Sequence, residues 1–229
     1  YLILEKTPFY YESGGQISDT GKIYGENLEI DVLEVQKIND LICHICKIKN
    51  GDIDLKNNSI IAEIDIVNRR KIMSNHTATH MLHEALKQVL GSHIQQSGSL
   101  VSPERLRFDY THSTKLNEKE IKSIEDIVNA KILENLKLNI ATTNYDKALK
   151  SGAVALFGEK YEEDVRVVEI SDFSKELCGG THVKRTGDIG LFKIISDTSL
   201  ASGVRRISAL TGLECLQYLR DCFQEIKSI

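Results

Sequence analysis

The hydrophobic period of the chain changes at Ile66, and that change requires a mixed architecture. Upstream, the stretches 1–5, 21–24, 28–37, 41–49 and 59–66 are short runs with β-branched residues. Turn-forming segments such as Gly25-Glu26-Asn27 and Lys49-Asn50-Gly51-Asp52 separate them. Several short strands at this spacing predict a small β-barrel. From Ile66 to about Leu90 the apolar residues Ile72, Met73, Met81, Leu82, Leu86, Val89 and Leu90 recur at roughly helical spacing, which predicts a helix.

That helix carries His76-Thr77-Ala78-Thr79-His80. Side chains at i and i+4 share a face with Cβ atoms about 5–6 Å apart, and neutral imidazole is a good zinc ligand. The segment lacks the glutamate of His-Glu-x-x-His, so the general base of a metalloprotease is missing. His83, one turn beyond His80, is a possible rival ligand, with a surface or supporting role as the preferred alternative. A second pair stands far downstream, in Glu176-Leu177-Cys178-Gly179-Gly180-Thr181-His182, where two glycines allow a tight turn. One thiolate and three imidazoles, from His76, His80, Cys178 and His182, make a tetrahedral donor set suited to Zn2+.

Two other segments compete for attention. Cys43-His44-Ile45-Cys46 has zinc-ribbon spacing, but the alternation around it is that of a strand, which sends Cys43 and Cys46 to opposite faces. Tyr10-Tyr11-Glu12-Ser13-Gly14-Gly15-Gln16 reads either as a loop whose backbone approaches a ligand or as a glycine turn between strands.

Beyond the first helix, 106–110 reads as a strand. Asn117-x-x-Glu120 has the pattern of a capping box, and Ile121, Ile124, Val128, Ile132 and Leu136 supply a stripe of helical period. A short helix at 145–152, strands at 165–170, 191–196 and 204–210, and a final helix at 213–229 complete an α+β core in which the Cys178 loop connects two strands. The expected domains are a β-barrel at 1–68, an α+β core with an antiparallel sheet at 69–212, and a C-terminal helix at 213–229.

With 229 residues, 41% of them hydrophobic, the chain can bury a substantial core. No apolar run is long enough for a membrane span and there is no signal-peptide pattern, so a soluble, cytoplasmic protein is expected. Five cysteines without disulfide-framework spacing agree with a reducing compartment. A net charge of −4 argues against strong general affinity for nucleic acid. Three basic clusters, Arg69-Arg70-Lys71, Lys184-Arg185 and Arg205-Arg206, nonetheless bracket the candidate metal ligands in sequence. The start at Tyr1, already in a strand-like run, suggests a piece of something longer.

Several phrases together resemble the editing region of alanyl-tRNA synthetases. They are Thr7-Pro8-Phe9-Tyr10 with Glu12-Ser13-Gly14-Gly15-Gln16, Asn75 to His80, Gly98-Ser99-Leu100 with Leu106-Arg107-Phe108-Asp109, and Ala155-Leu156-Phe157-Gly158-Glu159-Lys160-Tyr161. Glu176 to His182, Thr186-Gly187-Asp188-Ile189-Gly190 and Gly203-Val204-Arg205-Arg206-Ile207 complete the set. Freestanding alanyl-tRNA editing proteins and the threonyl-type editing domain are similar too. The threonyl relatives lack the Ser-Gly-Gly-Gln loop, and the late stretch 199–206 with its following helix looks more like a full synthetase.

The resemblance implies a deacylase that hydrolyses the ester of tRNA(Ala) mischarged with serine or glycine, working beside the remaining domains of a parent synthetase. It places the metal ligands on His76, His80, Cys178 and His182. Gln96 and Ser97 are implied at the catalytic pocket, where a serine hydroxyl needs a polar partner that Ser97, Gln96 or Thr77 could provide, and Gly14, Gly15, Gln16, Arg205 and Arg206 are expected at the substrate. A small binding pocket rejects serine or glycine in favour of alanine by only about 10- to 200-fold, which is why a second hydrolytic site is useful. The rival from another class is a non-catalytic, zinc-stabilised tRNA-binding module.

Overall fold

In the computed structural model the described residues are 1–52, 59–155 and 161–228. They fall into two compact units, Tyr1–Arg70 and Lys71–Ile229. The first contains strands β1 (Leu2–Ile3), β2 (Gly21–Gly25), β3 (Leu28–Ile38), β4 (Leu41–Asn50) and β5 (Ile61–Ile64). All pairs are antiparallel, in the order β1-β4-β3-β2-β5. Hairpin β3–β4 turns through Asn39 and Asp40, both with positive φ, as a two-residue turn matched to strand twist requires. Residues of β3 alternate inward at Leu28, Ile30 and Val32, and with Ile23, Val35 and Phe9 they form the core of this unit.

The barrel expectation is corrected here. Among the described residues the sheet is open, because its outer strands β1 and β5 pair inward with β4 and β2 and not with each other. Closure depends on hydrogen bonds between the first and last strands. Strand spacing along a sequence does not encode those bonds, and a two-residue β1 offers little edge to close on.

The second unit is the α+β part. Its elements are α1 (Ile66–Leu90, which begins just before the boundary), β6 (Gln96–Val101), β7 (Leu106–Thr111), α2 (Glu118–Leu133) and β8 (Leu138–Asn144). There follow α3 (Tyr145–Lys150), β9 (Asp164–Ile170), β10 (Ser174–Leu177), a 3-10 turn at Thr186–Ile189, β11 (Phe192–Ala201), β12 (Val204–Thr211) and α4 (Gly212–Lys227). Two antiparallel sheets result, β11-β12-β7-β6 and β10-β9-β8. One core joins them: Ala78, Met81, Leu82, Ala85 and Leu86 of α1 meet Phe108 and Tyr110 of β7, Ile124 and Val128 of α2, Ile170 of β9 and Ile207 of β12. Each fully buried Leu or Met side chain contributes about 1.5–3 kcal/mol.

The capping box of α2 forms as expected, with Asn117 and Glu120 bonding each other's backbone N–H. The helix stops at Leu133, however, and Asn135 turns the chain at φ 52°, so Leu136 packs on the core from outside the helix. Strands β6, β8 and β10 were not expected, and β10 stands directly before Cys178. Residues 156–160 of the 155–161 phrase lie outside the described residues. No helix among the described residues is long and apolar enough to cross a membrane.

Candidate metal centre

Residues 75–83 of α1 are all buried, and the two sides of the helix there do different work. Ala78, Met81 and Leu82 enter the core, while His76, His80 and His83 recur at i, i+4 and i+7 on another face. Across from that face come β10, carrying Glu176, and the Cys178-Gly179-Gly180 turn. Arg166 of β9 fixes the turn by donating from Nη1 to the carbonyls of Cys178, at 2.9 Å, and Gly180, at 2.6 Å. The Cys178 N–H extends the β9–β10 ladder onto the Arg166 carbonyl at 2.9 Å.

The four residues singled out by their chemistry converge. Ligand atoms of His76, His80, Cys178 and His182 all lie within 4.8 Å of one another. Cys178 Sγ is 3.4 Å from His76 Nε2 and 3.3 Å from His182 Nε2. The rings of His76 and His80 stack at 5.4 Å between centroids with an interplanar angle of 4°. His80 Nε2 is buried with no hydrogen-bond partner, which is costly for a polar atom and is what a metal ligand looks like in the absence of its ion. Three imidazoles and a thiolate at this separation fit a tetrahedral ion of the zinc type.

Hydrogen counting fixes how two of the imidazoles present themselves. Thr77 Oγ1 donates its one proton to the Met73 carbonyl at 2.9 Å and accepts from the Val183 N–H at 3.2 Å. The 3.2 Å contact with His182 Nδ1 must therefore be an N–H donated by the ring, which leaves the Nε2 lone pair directed at the cluster. Glu176 does the same for His80. Its Oε2 meets His80 Nδ1, and its Oε1 accepts from His83 Nδ1 at 2.9 Å. His83, for which a surface or supporting role is preferred over that of a rival ligand, turns its ring to Glu176 and is absent from the cluster.

Electrostatics are strongly coupled. Burial opposes charge on His80, but the Glu176 carboxylate and the Cys178 sulfur raise its pKa to about 10. Burial favours the neutral acid at Glu176, yet the imidazoles of His80 and His83 hold it well below the usual carboxylate range. Burial likewise pushes the Cys178 thiol up, and His76, His182 and His80 around it bring it well below an ordinary thiol. At His182 burial, aided by the neighbouring imidazoles, lowers the pKa to about 3. A thiolate and a neutral His182 are the forms a metal takes.

A cavity of about 280 Å³ adjoins this assembly, lined by His83, Lys87, Ile94, Gln96 and Val154 among others. Gln96, at the start of β6, thus shares a wall with His83. Ser97 is exposed and sits in a β-bulge, where the register with β7 jumps between Gln96 and Gly98. Bulges re-aim side chains and recur beside active sites.

Arg205 is buried and donates to Asp197 at 2.8 Å, and Arg206 donates to Asp109 at 2.7 and 2.8 Å, so both guanidinium groups face carboxylates. Arg69 pairs with Asp19, and Lys71 with Glu214 at 2.5 Å. In the first unit, residues 13–16 form a turn closed by two backbone bonds, with Gly14 at φ 57°, Gly15 at φ 79° and Gln16 wholly buried. A Cβ on Gly14 would meet nothing within 4 Å, so positive φ accounts for that glycine. Cys43-His44-Ile45-Cys46 lies in β4, as its alternation predicts. Sequence reasoning missed Glu176 and Arg166; the position of Glu176 two residues before Cys178 was the only available signal.

Comparison with known proteins agrees with this geometry. Residues 165–208 match the family described as the threonyl and alanyl tRNA synthetase second additional domain, and residues 1–68 match that of class II (A) tRNA synthetases. The stretch that carries Cys178 and His182 thus matches a class of domain described for aminoacyl-tRNA synthetases. The chain is 51% identical over 96% of its length to the alanine--tRNA ligase of Thermoanaerobacter sp. (strain X514), and 49% identical over its full length to that of Wolbachia pipientis wMel. It is 47% identical to the Coxiella burnetii (strain Dugway 5J108-111) ligase, again over its full length. The chain corresponds to one region of alanine--tRNA ligases, and it spans about a quarter of the length of the curated relatives it matches.

Proposed function

We propose that this region is an editing deacylase, which hydrolyses the ester joining serine or glycine to tRNA(Ala) and works with the other domains of an alanyl-tRNA synthetase. The convergence of His76, His80, Cys178 and His182 carries the reading, because separated segments have no structural need to bring four metal donors within 4.8 Å. Bound by these residues, Zn2+ would supply Lewis acidity and fixed positive charge at the scissile ester. Gln96 and Ser97 orient the aminoacyl group, Gln96 from the cavity wall and Ser97 from the bulge. A hydroxyl or amide that bonds the serine side chain leaves an unmet polar group when alanine binds, at a cost of about 1–3 kcal/mol. Thr77, with its proton given to Met73, serves in this reading by orienting His182.

Gly14, Gly15, Gln16, Arg205 and Arg206 complete the proposal as substrate contacts, on the strength of the family resemblance. Arg206 is the more accessible of the two arginines, and a tRNA phosphate would compete with Asp109 for it. A second reading draws on the number of donors. Four protein ligands close a tetrahedral shell, as in structural zinc sites, which suits a tRNA-binding module without turnover.

One experiment separates the two. The purified chain is incubated with serine-, glycine- and alanine-charged tRNA(Ala), with and without a chelator, alongside Cys178→Ala. Release of serine and glycine, alanine being spared, with loss of turnover on chelation or in the variant, supports the deacylase. Binding of charged tRNA without turnover supports the docking module.

A further inference from the structure

We propose that His83 is a positioning residue for the metal centre, acting through Glu176 to hold His80 in the tautomer and ring orientation that presents Nε2 to the ion. The inference rests on the metal reading above and extends it to two residues outside the donor set.

Glu176 is 3% exposed and sits between two imidazoles, with Oε2 on His80 Nδ1 and Oε1 on His83 Nδ1. A carboxylate that accepts from Nδ1–H leaves Nε2 as the lone-pair nitrogen, which is the one His80 turns toward the cluster. The carboxylate must itself be aimed, since a buried anion with one partner could swing about its χ angles and release the ring. His83 supplies the second anchor. It is 2% exposed, its Nδ1 bond to Glu176 is the one hydrogen bond the structure gives it, and its Nε2 has no partner. The ring otherwise packs against Phe108, with centroids 5.3 Å apart, so Glu176 is its one polar attachment.

Rigid elements set the geometry. His80 and His83 are on the same helix, one turn apart, and Glu176 is on β10, whose ladder with β9 fixes its register opposite Val168. His80, Glu176 and His83 thus form a closed bridge between helix and strand. Thr77 performs the matching service for His182 by accepting its Nδ1–H.

The test measures Zn2+ affinity by chelator competition and the absorption spectrum of the Co2+-substituted chain, for the unmodified protein and for His83→Leu, His83→Asn and Glu176→Gln. Asparagine can still donate to Glu176 Oε1, whereas leucine cannot. His83→Leu is expected to weaken Zn2+ binding by about 10- to 100-fold and to alter the Co2+ spectrum, with His83→Asn restoring most of both. Glu176→Gln is expected to weaken binding at least as much, because its one amide oxygen can accept from only one ring's Nδ1–H and its NH2, a donor, faces the other. Folded His83→Leu protein with unchanged affinity and spectrum overturns the proposal. Should the variants not fold, nitrogen-15 imidazole spectra of the unmodified Zn2+ protein decide it: Nδ1–H on both His80 and His83 supports the bridge, and Nε2–H on His80 refutes it. An unmodified chain that binds no metal would refute the metal reading itself, which is a separate result.

Discussion

Two His/Cys constellations stand in this chain, and the one whose members lie closer together in sequence is the one whose imidazole is fully occupied by protein. Cys43, His44 and Cys46 lie within four residues, but His44 bonds the Thr7 hydroxyl through Nε2 at 2.8 Å and the Leu2 carbonyl through Nδ1 at 3.0 Å. Both ring nitrogens are satisfied, and the ring packs edge-on against Phe9 at 5.5 Å. The other set spans more than a hundred residues, and there Nδ1 is bonded to protein at His80 and His182 while Nε2 is left for the cluster. A metal site is marked less by how close its ligands are in sequence than by which of their atoms the fold leaves unmet.

The sharpest way to break this contrast is to remove ligands from each set. His76→Ala and Cys178→Ala are expected to lower Zn2+ affinity by at least about 100-fold, more than loss of a supporting residue costs, and to abolish deacylation. Cys43→Ala and Cys46→Ala are expected to leave both unchanged, with metal content read by elemental analysis. A next step asks whether the second cluster serves the proposed substrate: Ser97→Ala and Gln96→His should slow serine release by about 5- to 100-fold, the equivalent of one unmet polar contact. Equal serine rates in all three proteins would remove these residues from the pocket.

The role of His44 predicts a different kind of loss. His44→Ala should cost about 1–3 kcal/mol in denaturant unfolding, from the stranded Thr7 and Leu2 partners, with no change in metal content. The smallest effect expected is on the pH dependence of metal-free stability. Glu176, depressed in the folded state, contributes fully above its unfolded value of 4.5, and that contribution fades as pH falls below it. His80, raised to about 10, contributes fully below 6.5, and its share fades as pH rises from there through about 10. Metal-free protein should therefore gain most from this pair between pH 4.5 and 6.5, and Glu176→Gln should flatten the profile in thermal melts.

Much of the site was readable before any coordinates, because its ligands are announced by local patterns. The i, i+4 histidines sit in a strongly periodic helix, and the Cys-Gly-Gly-Thr-His turn is short and chemically distinctive. The capping box of α2 is equally local. What the sequence concealed is non-local or too short to show a period. Strand β10 has four residues, so no alternation announces it, and Glu176 gains its meaning only from an antiparallel register with β9. Whether five strands close into a barrel depends on partners at the sheet edges, and the pairing of Arg205 and Arg206 with Asp197 and Asp109 depends on strand register. Leu136 shows a helical pattern running past a stop that Asn135 imposes by its backbone conformation.

Helix α1 has no solvent side between residues 75 and 83, and this ties two kinds of tolerance together. A substitution at Met81 or Leu82 that tilts the helix by a fraction of an ångström to relieve crowding also moves the imidazoles on its other flank. Packing and chemistry in this segment cannot drift separately, so random mutagenesis should find few variants here that lose one and keep the other.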